Sequence, residues 1–231
     1  MGAALALGCA GRGADIALCY SQSGAVISSA VDAVRSTGRR SAAIAADLRS
    51  PSACQTLIDD VIEWAGRLDV LVCLASVYER MPLQHLTPDD WRAQLAVDLD
   101  ASFFCARAAA AQMRARRSGH IVLCSDWVAA SGRPRYTGYV PYYVAKAGVV
   151  ALTEAMALEL AEDGVQVNAI APGPILPAAG STDAMKAAVI AATPLGHWGG
   201  PDVIAHAVLG LIEQDWVTGQ VVRVDGGRHL K

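Results

Sequence analysis

The chain has 231 residues, of which 53% are hydrophobic and 18% are charged, and its formal net charge is −3. This length suffices for one domain with a full core, and the apolar content excludes a disordered chain. Without a basic excess to neutralise phosphates, a general nucleic-acid binder is excluded. No apolar run reaches the roughly 18 residues of a membrane span, so no membrane insertion is expected.

Six apolar runs are predicted as strands, with helix-like segments between them. The runs are continuous rather than alternating, which is typical of strands covered on both faces. This order predicts an α/β fold, a doubly wound parallel sheet in three α/β/α layers, with residues 1–231 forming a single domain. The predicted strands are 16–19, 42–45, 70–74, 121–124, 165–170 and 221–224.

Three helix starts are marked by capping residues. Ser50 precedes a proline, Thr87 and Asp90 have the spacing of a capping box, and Gly200 also precedes a proline. The stretch 172–200 is rich in Pro, Ala and Gly and is predicted to be a loop or lid near a site.

The six cysteines form no C-x-x-C pair, and most lie inside apolar runs. This pattern predicts buried free thiols in a reducing cytoplasm and gives no support for a metal site.

The strongest chemical signal is Tyr142 followed four residues later by Lys146, one of only three lysines in the chain. Residues at this spacing share one helix face. An ammonium group beside a phenol favours the phenolate, so the pair predicts a tyrosine with a lowered pKa that serves as an acid or base. The alternative is an exposed pair on a helix surface, because this spacing is common by chance.

Several segments together resemble the short-chain dehydrogenase/reductase family over nearly the whole chain. The resemblance implies a Rossmann-like fold and hydride transfer between a nicotinamide cofactor and a small-molecule substrate. It implies Tyr142 as the acid/base and Lys146 as the group that tunes it and holds the nicotinamide ribose. The matching segments are Ala-Asp-Leu at 46–48, Leu-Asp-Val-Leu-Val at 68–72, Tyr142-x-x-x-Lys146-Ala147, Val-Asn-Ala-Ile-Ala-Pro-Gly-Pro at 167–174, Thr-Gly-Gln at 218–220 and Val-Asp-Gly-Gly at 224–227.

The nucleotide preference follows from the residue after the strand 16–19. Proteins that bind NAD need a carboxylate there to accept a hydrogen bond from the ribose 2′-hydroxyl. This chain has Tyr20 instead and no acid that would repel a 2′-phosphate. NADP(H) is therefore expected rather than NAD(H), although no arginine follows closely to bind the phosphate. The cofactor residues implied by the resemblance are Gly2, Tyr20, Ser21, Asp47, Leu48, Ala75, Ser76, Tyr142, Lys146, Pro172, Gly173 and Ile175.

A narrower resemblance is to pteridine reductases. It rests on Ser125-Asp126, on Ala75-Ser76-Val77-Tyr78 and on Gly138-Tyr139-Val140-Pro141-Tyr142. It implies that Asp126 joins Tyr142 in proton delivery and that Tyr78 stacks on a flat substrate ring, with Trp127 and Trp198 added to the aromatic surface. Ordinary packing is the alternative for these three aromatic side chains.

Three departures from the family pattern bear on the site. Tyr142 follows Asp126 by 16 residues, a longer interval than in that branch, so Ser125 or Ser131 could replace a displaced Asp126. Asp98 stands where the family has an asparagine near the lysine, and Cys73-Leu74 replaces the usual Asn-Asn.

The family's first strand and Gly-rich phosphate loop have no counterpart, because Met1-Gly2 aligns with the end of that motif. The absent strand would be central, between 16–19 and 70–74. A strand has about 5–6 residues, and each unsatisfied buried group costs about 1–3 kcal/mol, so a repair is expected. The repair is an upstream start, closure of the two flanking strands on each other, or a strand from another chain; the first is favoured.

The leading hypothesis is an NADP(H)-dependent reductase of a carbonyl or a ring C=N, with a pteridine-like or keto compound or a 3-oxoacyl thioester as substrate. The alternative is a non-catalytic relative that acts in binding or assembly. The resemblance also implies a cytoplasmic homodimer or homotetramer, paired through helices over 91–117 and 142–161.

Overall fold

The structure is a computed structural model that describes residues 1–21, 25–178 and 180–231. Strands form at each of the six predicted places, within two residues of the expected ends. They are β1 (Ile16–Tyr20), β2 (Ser41–Ala45), β3 (Val70–Val72), β4 (Gly119–Cys124), β5 (Val165–Pro172) and β6 (Val221–Val224).

All strand pairs are parallel, which confirms the predicted α/β class. The strands form two sheets, one of order β1-β2 and one of order β3-β4-β5-β6. Since parallel strands end at the same edge of their sheet, the polar residues that follow them are gathered there.

The break between the two sheets lies where the family's central strand would be. The Ile16 amide donates to the Arg40 carbonyl at 3.0 Å, so the alternate residues Ala17 and Cys19 turn their backbone groups away from β2. Within the described residues β1 and β3 belong to different sheets, so closure of these two strands on each other, one of the three possible repairs, is not what the structure shows. β1 and β3 therefore each have one edge without a strand partner in this part of the chain.

Helices cover both faces of the strands, and the predicted capping residues are confirmed. The Ser50 hydroxyl accepts from the Ala53 amide at 3.4 Å, and Thr87 and Asp90 form the capping box. The helices are α1 (Gly2–Ala10), α2 (Ala25–Arg35), α3 (Pro51–Ala65), α4 (Pro88–Leu95), α5 (Ala101–Arg116), α6 (Trp127–Ala130), α7 (Val140–Leu160), α8 (Asp183–Ala191) and α9 (Pro201–Ile212).

Two predicted segments differ from the structure. The stretch 172–200 is not a continuous loop, because the Thr182 hydroxyl caps α8 by accepting from the Met185 amide at 3.2 Å. The helix expected over 91–117 is interrupted by a π-helical turn at Ala96–Asp100, which separates α4 from α5.

The core has two main parts, one on each side of the four-stranded sheet. On one side α3, α5 and α7 pack around Ile121 and Val167; on the other, α1 and α9 pack around Val122 and Ile170. This confirms the three-layer arrangement. All six cysteines are free thiols, and burial raises the pKa of Cys73 to about 12. No metal-binding cluster occurs among the described residues, and no helix in them is long and apolar enough to cross a membrane.

Replacing Gly173 with Ala is expected to lower the free energy of unfolding by about 1–3 kcal/mol, because it overpacks the junction after β5. A Cβ atom at Gly173 would lie 2.5 Å from the Asp225 Cβ. Gly210, inside α9, meets no atom within 4 Å, so Gly210→Ala should instead stabilise the protein by about 0.5–1 kcal/mol. Urea denaturation of both variants checks this; equal effects would contradict the packing argument.

Candidate active site

The phenol of Tyr142 lies against the carboxylate of Asp126. Its hydroxyl donates to Asp126 Oδ2 at 3.1 Å, while Asp126 Oδ1 accepts from the Val128 amide at 2.7 Å and so caps α6. Tyr142 stands in the first turn of α7, and Asp126 follows β4. The longer interval between them is taken up by α6 and the loop after it, so Asp126 is not displaced.

The two serines that could have replaced Asp126 are engaged elsewhere. The Ser125 hydroxyl is buried and donates to the Lys146 carbonyl at 2.8 Å, and the Ser131 hydroxyl donates to the Trp127 carbonyl. Both bonds stabilise the local backbone. Of the three candidates, Asp126 is the one bonded to Tyr142.

Lys146 lies below Tyr142 in a buried ion pair. Its Nζ is 3.0 Å from Asp98 Oδ1 and donates to the Cys124 carbonyl at 3.0 Å, and the two side chains are 2% and 0% exposed. Nζ is also 5.7 Å from the centre of the Tyr142 ring. The lysine is therefore held beneath the phenol by a carboxylate and a backbone carbonyl.

Asp98 is the centre of a polar network that the π-helical turn directs inward. Asp98 Oδ2 accepts from the Val77 amide at 3.1 Å, and the Ser76 hydroxyl and the Gln94 amide group also donate to this carboxylate. Gln94 additionally donates to the Val77 carbonyl at 2.7 Å. The network fixes the segment after β3 against the lysine. The position of Asp98 near the lysine could be predicted from the sequence. The part that Gln94 plays could not, because Gln94 belongs to no recognised motif.

The pKa of Tyr142 differs from the sequence-based expectation. Burial, followed by the negative charge of Asp126, raises the pKa of Tyr142 above its usual value, so the expected lowering by Lys146 is wrong for this structure. The lysine charge is offset by Asp98. Burial also raises the pKa of Asp126, against the opposing effects of the Val128 amide, the Tyr142 hydroxyl and Lys146. The Tyr142 phenol therefore keeps its proton near neutral pH, and its raised pKa also makes it a weaker acid than a free tyrosine.

Asp126→Asn is expected to change how stability depends on pH. A carboxyl whose folded pKa lies above its unfolded value of about 3.9 binds more protons when folded, so stability falls as pH rises through that window. Each unit of difference costs about 1.4 kcal/mol at pH 7. Asparagine keeps the helix cap. In urea denaturation from pH 3 to 8, the stability of the wild type relative to that of the variant should fall as pH rises; identical profiles would contradict the raised pKa of Asp126.

Aromatic rings surround the phenol of Tyr142. Tyr78 is stacked on Tyr139 with ring centres 4.6 Å apart and meets the Tyr142 ring edge-on at 4.8 Å. Tyr78 is 52% exposed, so it is partly open to a ligand. Trp127 is buried and belongs to the same aromatic cluster through Tyr136, 6.4 Å away. Trp198 is partly buried, and within the described residues its indole nitrogen has no hydrogen-bond partner and its ring pairs with none of these tyrosines.

The residues expected to bind a cofactor occupy the carboxyl ends of the strands. Tyr20 ends β1, and Ser21 follows it at the surface. Beyond β2, Asp47 is exposed and paired with Arg49 at 2.6 Å, which lowers the pKa of Asp47 to about 2. Leu48 is partly buried against the core.

The remaining expected cofactor residues lie on the second sheet and at α1. Ala75 and Ser76 are exposed after β3, while Pro172 ends β5 and the Gly173 amide donates to the Val224 carbonyl at 2.9 Å. The Ile175 side chain is buried in the core beside α9, so its backbone is what remains for a ligand. Gly2 begins α1, and a Cβ atom placed on it would have no other atom within 4 Å.

Comparison with known proteins assigns the family. A family sequence model described as enoyl-(acyl carrier protein) reductase matches residues 1–229. A short-chain dehydrogenase/reductase of Serratia marcescens, solved as a double mutant, superimposes with a TM-score of 0.90 at 27% identity, covering 99% of this chain and 93% of that one. The chain belongs to the short-chain dehydrogenase/reductase family.

Relatives in this family have varied activities. The chain is 33% identical to the 3-oxoacyl-acyl-carrier-protein reductase FabG of Staphylococcus aureus, over 100% of this chain and 94% of the relative. It is similar to the crystal structure of acetoin dehydrogenase from Enterobacter cloacae, with a TM-score of 0.89 and 35% identity over 99% of this chain and 91% of that one. The family membership makes this chain an oxidoreductase that uses a nicotinamide cofactor.

Proposed function

We propose that this protein is an NADP(H)-dependent reductase of a carbonyl group, with Tyr142 as the proton donor. The contact between the Tyr142 hydroxyl and Asp126 at 3.1 Å, above the buried lysine, is the observation that carries the proposal. The proposal includes catalytic roles for Asp126, Tyr142 and Lys146. It also includes a single domain that extends over residues 1–231.

The nicotinamide cofactor supplies the hydride when it is bound. The Tyr142 hydroxyl then gives its proton to the carbonyl oxygen of the substrate, so that the carbonyl becomes an alcohol. Asp126, whose carboxyl is bonded to the phenol and whose pKa is raised by burial, is the group through which a proton would return to Tyr142. The Lys146 ammonium binds Asp98 and the Cys124 carbonyl, and its one remaining N–H would bind the cofactor ribose.

The described residues fit a dinucleotide at three places. The first amide groups of α1 have no acceptor within the helix and face open space at Gly2, which suits a pyrophosphate. Tyr20 and Ser21 would contact the adenosine ribose, and Asp47 and Leu48 the adenine. The nicotinamide side would be lined by Ala75, Ser76, Pro172, Gly173 and the Ile175 backbone.

The preference for NADP(H) over NAD(H) is supported by the absence of a carboxylate at the end of β1 in the described residues. Arg49, at the same edge, is paired with Asp47, so its positive charge is largely offset. We expect Tyr20→Asp to reverse the preference by at least about tenfold in kcat/KM, because a carboxylate binds the 2′-hydroxyl and repels the 2′-phosphate. Initial rates with NADPH and NADH check this; an unchanged ratio would place the nucleotide elsewhere.

A 3-oxoacyl thioester is the first substrate to test, because reductases of such thioesters are among the relatives. A pteridine-like ring remains the second, supported by the exposed surface of Tyr78. Oxidation of NADPH is followed at its nicotinamide absorbance with acetoacetyl thioester and with a dihydropteridine. Turnover of neither, with tight NADPH binding, would contradict the proposed reduction.

The alternative of a non-catalytic binding protein is tested by titrating the 231-residue chain with NADPH and following its fluorescence. Tight binding of NADPH would weaken that alternative. We also propose a homodimer or homotetramer in the cytoplasm, a location supported by the six free thiols.

A further inference from the structure

A small cavity next to the proposed active site brings together cationic and aromatic side chains. Its volume is about 260 Å³, which accommodates one end of a small molecule rather than a dinucleotide. It opens beside α6, directly after Asp126. The lining residues are Trp127, Arg135, Tyr136, Ala192, Arg228 and Lys231.

Two guanidinium groups lie over the Trp127 ring in this cavity. The Cζ atom of Arg228 is 5.5 Å from the ring centre and that of Arg135 is 5.7 Å away. Within the described part of the chain Arg228 forms no ion pair with a carboxylate, in contrast to Arg49 and Arg67. Arg135 binds an oxygen of Lys231, the carboxyl-terminal residue of this chain. Two guanidinium groups and the Lys231 ammonium line the cavity, so its side chains are cationic and favour a bound anion.

Backbone contacts hold the guanidinium groups in place and leave donors free. Arg228 Nη1 donates to the Val189 carbonyl at 3.1 Å and approaches the Thr193 hydroxyl at 3.5 Å. Arg135 Nη1 donates to the backbone oxygen of Lys231. Each guanidinium therefore retains further N–H groups in the fork geometry that matches a carboxylate or phosphate.

The cavity is connected to Tyr142 by chain and by ring contacts. Trp127 follows Asp126, the carboxylate bonded to the Tyr142 hydroxyl. Tyr136 lines the cavity, its ring centre is 6.4 Å from that of Tyr139, and Tyr139 stacks on Tyr78 beside the phenol. A series of ring contacts, mostly edge to face, therefore connects the cavity to the surroundings of the reacting hydroxyl.

We propose that the substrate carries an oxyanion, a carboxylate or a phosphate, that Arg228 and Arg135 bind beside Trp127 while its carbonyl lies at Tyr142. The proposal deepens the reductase function and rests on it for the position of the carbonyl. The binding of the anion itself depends only on the cavity, so it is measured without cofactor or turnover.

Calorimetry with benzoate, phenyl phosphate and benzamide tests the anion site. Benzoate or phenyl phosphate should bind at least about tenfold more tightly than the neutral benzamide, and whichever is tighter identifies the oxyanion. Arg228→Gln and Arg135→Gln should each remove that advantage, whereas Arg133→Gln, which removes a charge from the same exposed loop, should not. Equal binding of benzamide, or unaffected binding in both cavity variants, would overturn the proposal.

Two further measurements separate failure of this inference from failure of the proposed function. Arg228→Lys keeps a charge but not the fork, so intermediate affinity at an unchanged melting temperature excludes misfolding as the cause. Turnover of terephthalaldehydic acid and its methyl ester then tests the carbonyl: a KM at least about tenfold lower for the acid supports the proposal. Turnover of both with equal KM would overturn the inference alone, and anion binding without turnover of either would overturn the reductase function.

Discussion

Replacing Tyr142 with phenylalanine should lower kcat by about 10²–10⁴-fold, the usual contribution of a positioned general acid. The change removes the one oxygen that donates to Asp126 and leaves the ring packed against Tyr78. Cofactor affinity should therefore change little. The expected result is a protein that binds NADPH as the wild type does but consumes it very slowly in the presence of a carbonyl substrate.

Tyr143→Phe provides the matched control for this variant. Tyr143 is the next residue of α7, and its hydroxyl makes no hydrogen bond within the described part of the chain. It should keep wild-type kcat and the wild-type melting temperature. Full activity in Tyr142→Phe, or an equal loss in Tyr143→Phe, would remove Tyr142 from the role of proton donor.

Replacing Lys146 with methionine should lower the free energy of unfolding by about 3–5 kcal/mol, the cost of leaving a buried charge without its partner. Asp98 is fully buried, and its carboxylate would lose the ammonium 3.0 Å away. In the double variant Lys146→Met, Asp98→Asn no uncompensated charge remains. We expect the second substitution to restore about 0.5–3 kcal/mol, the range of coupling between residues in contact.

Lys186→Met is the control, because Lys186 and Asp183 have the same 3.0 Å separation at the surface, where the aspartate is fully exposed. Surface pairs contribute little, so urea denaturation should detect no clear change. Similar destabilisation by the two methionine variants would contradict the view that burial, rather than the ion pair as such, makes Lys146 important for stability.

The positions of the strands were predictable because each is a continuous apolar run, and only a sheet covered on both faces buries such runs. The helix starts were predictable from capping residues such as Ser50 and Thr87, whose side-chain oxygens satisfy the first amide groups. In contrast, α8 lies in a segment rich in Pro, Ala and Gly. That composition predicts a loop, although Thr182 caps the helix in the structure.

The active-site pair was predictable from the resemblance, but its electrostatics were not. The effect of Lys146 on Tyr142 depends on the carboxylates around it, and the sequence does not tell that Asp98 binds the ammonium while Asp126 binds the phenol. Arg135 and Arg228 are far apart in the chain, and only the packing of the segment after β6 against α6 places both over Trp127.

Isotope transfer from NADPH deuterated at its reactive nicotinamide carbon tests the central claim most directly. The wild-type protein should place one deuterium on the former carbonyl carbon of acetoacetyl thioester, as measured by mass spectrometry of the product. Tyr142→Phe, mixed at the same cofactor saturation, should give almost no labelled product. Undiminished labelling by that variant would show that a different group delivers the proton, and unlabelled product from the wild type would rule out hydride transfer.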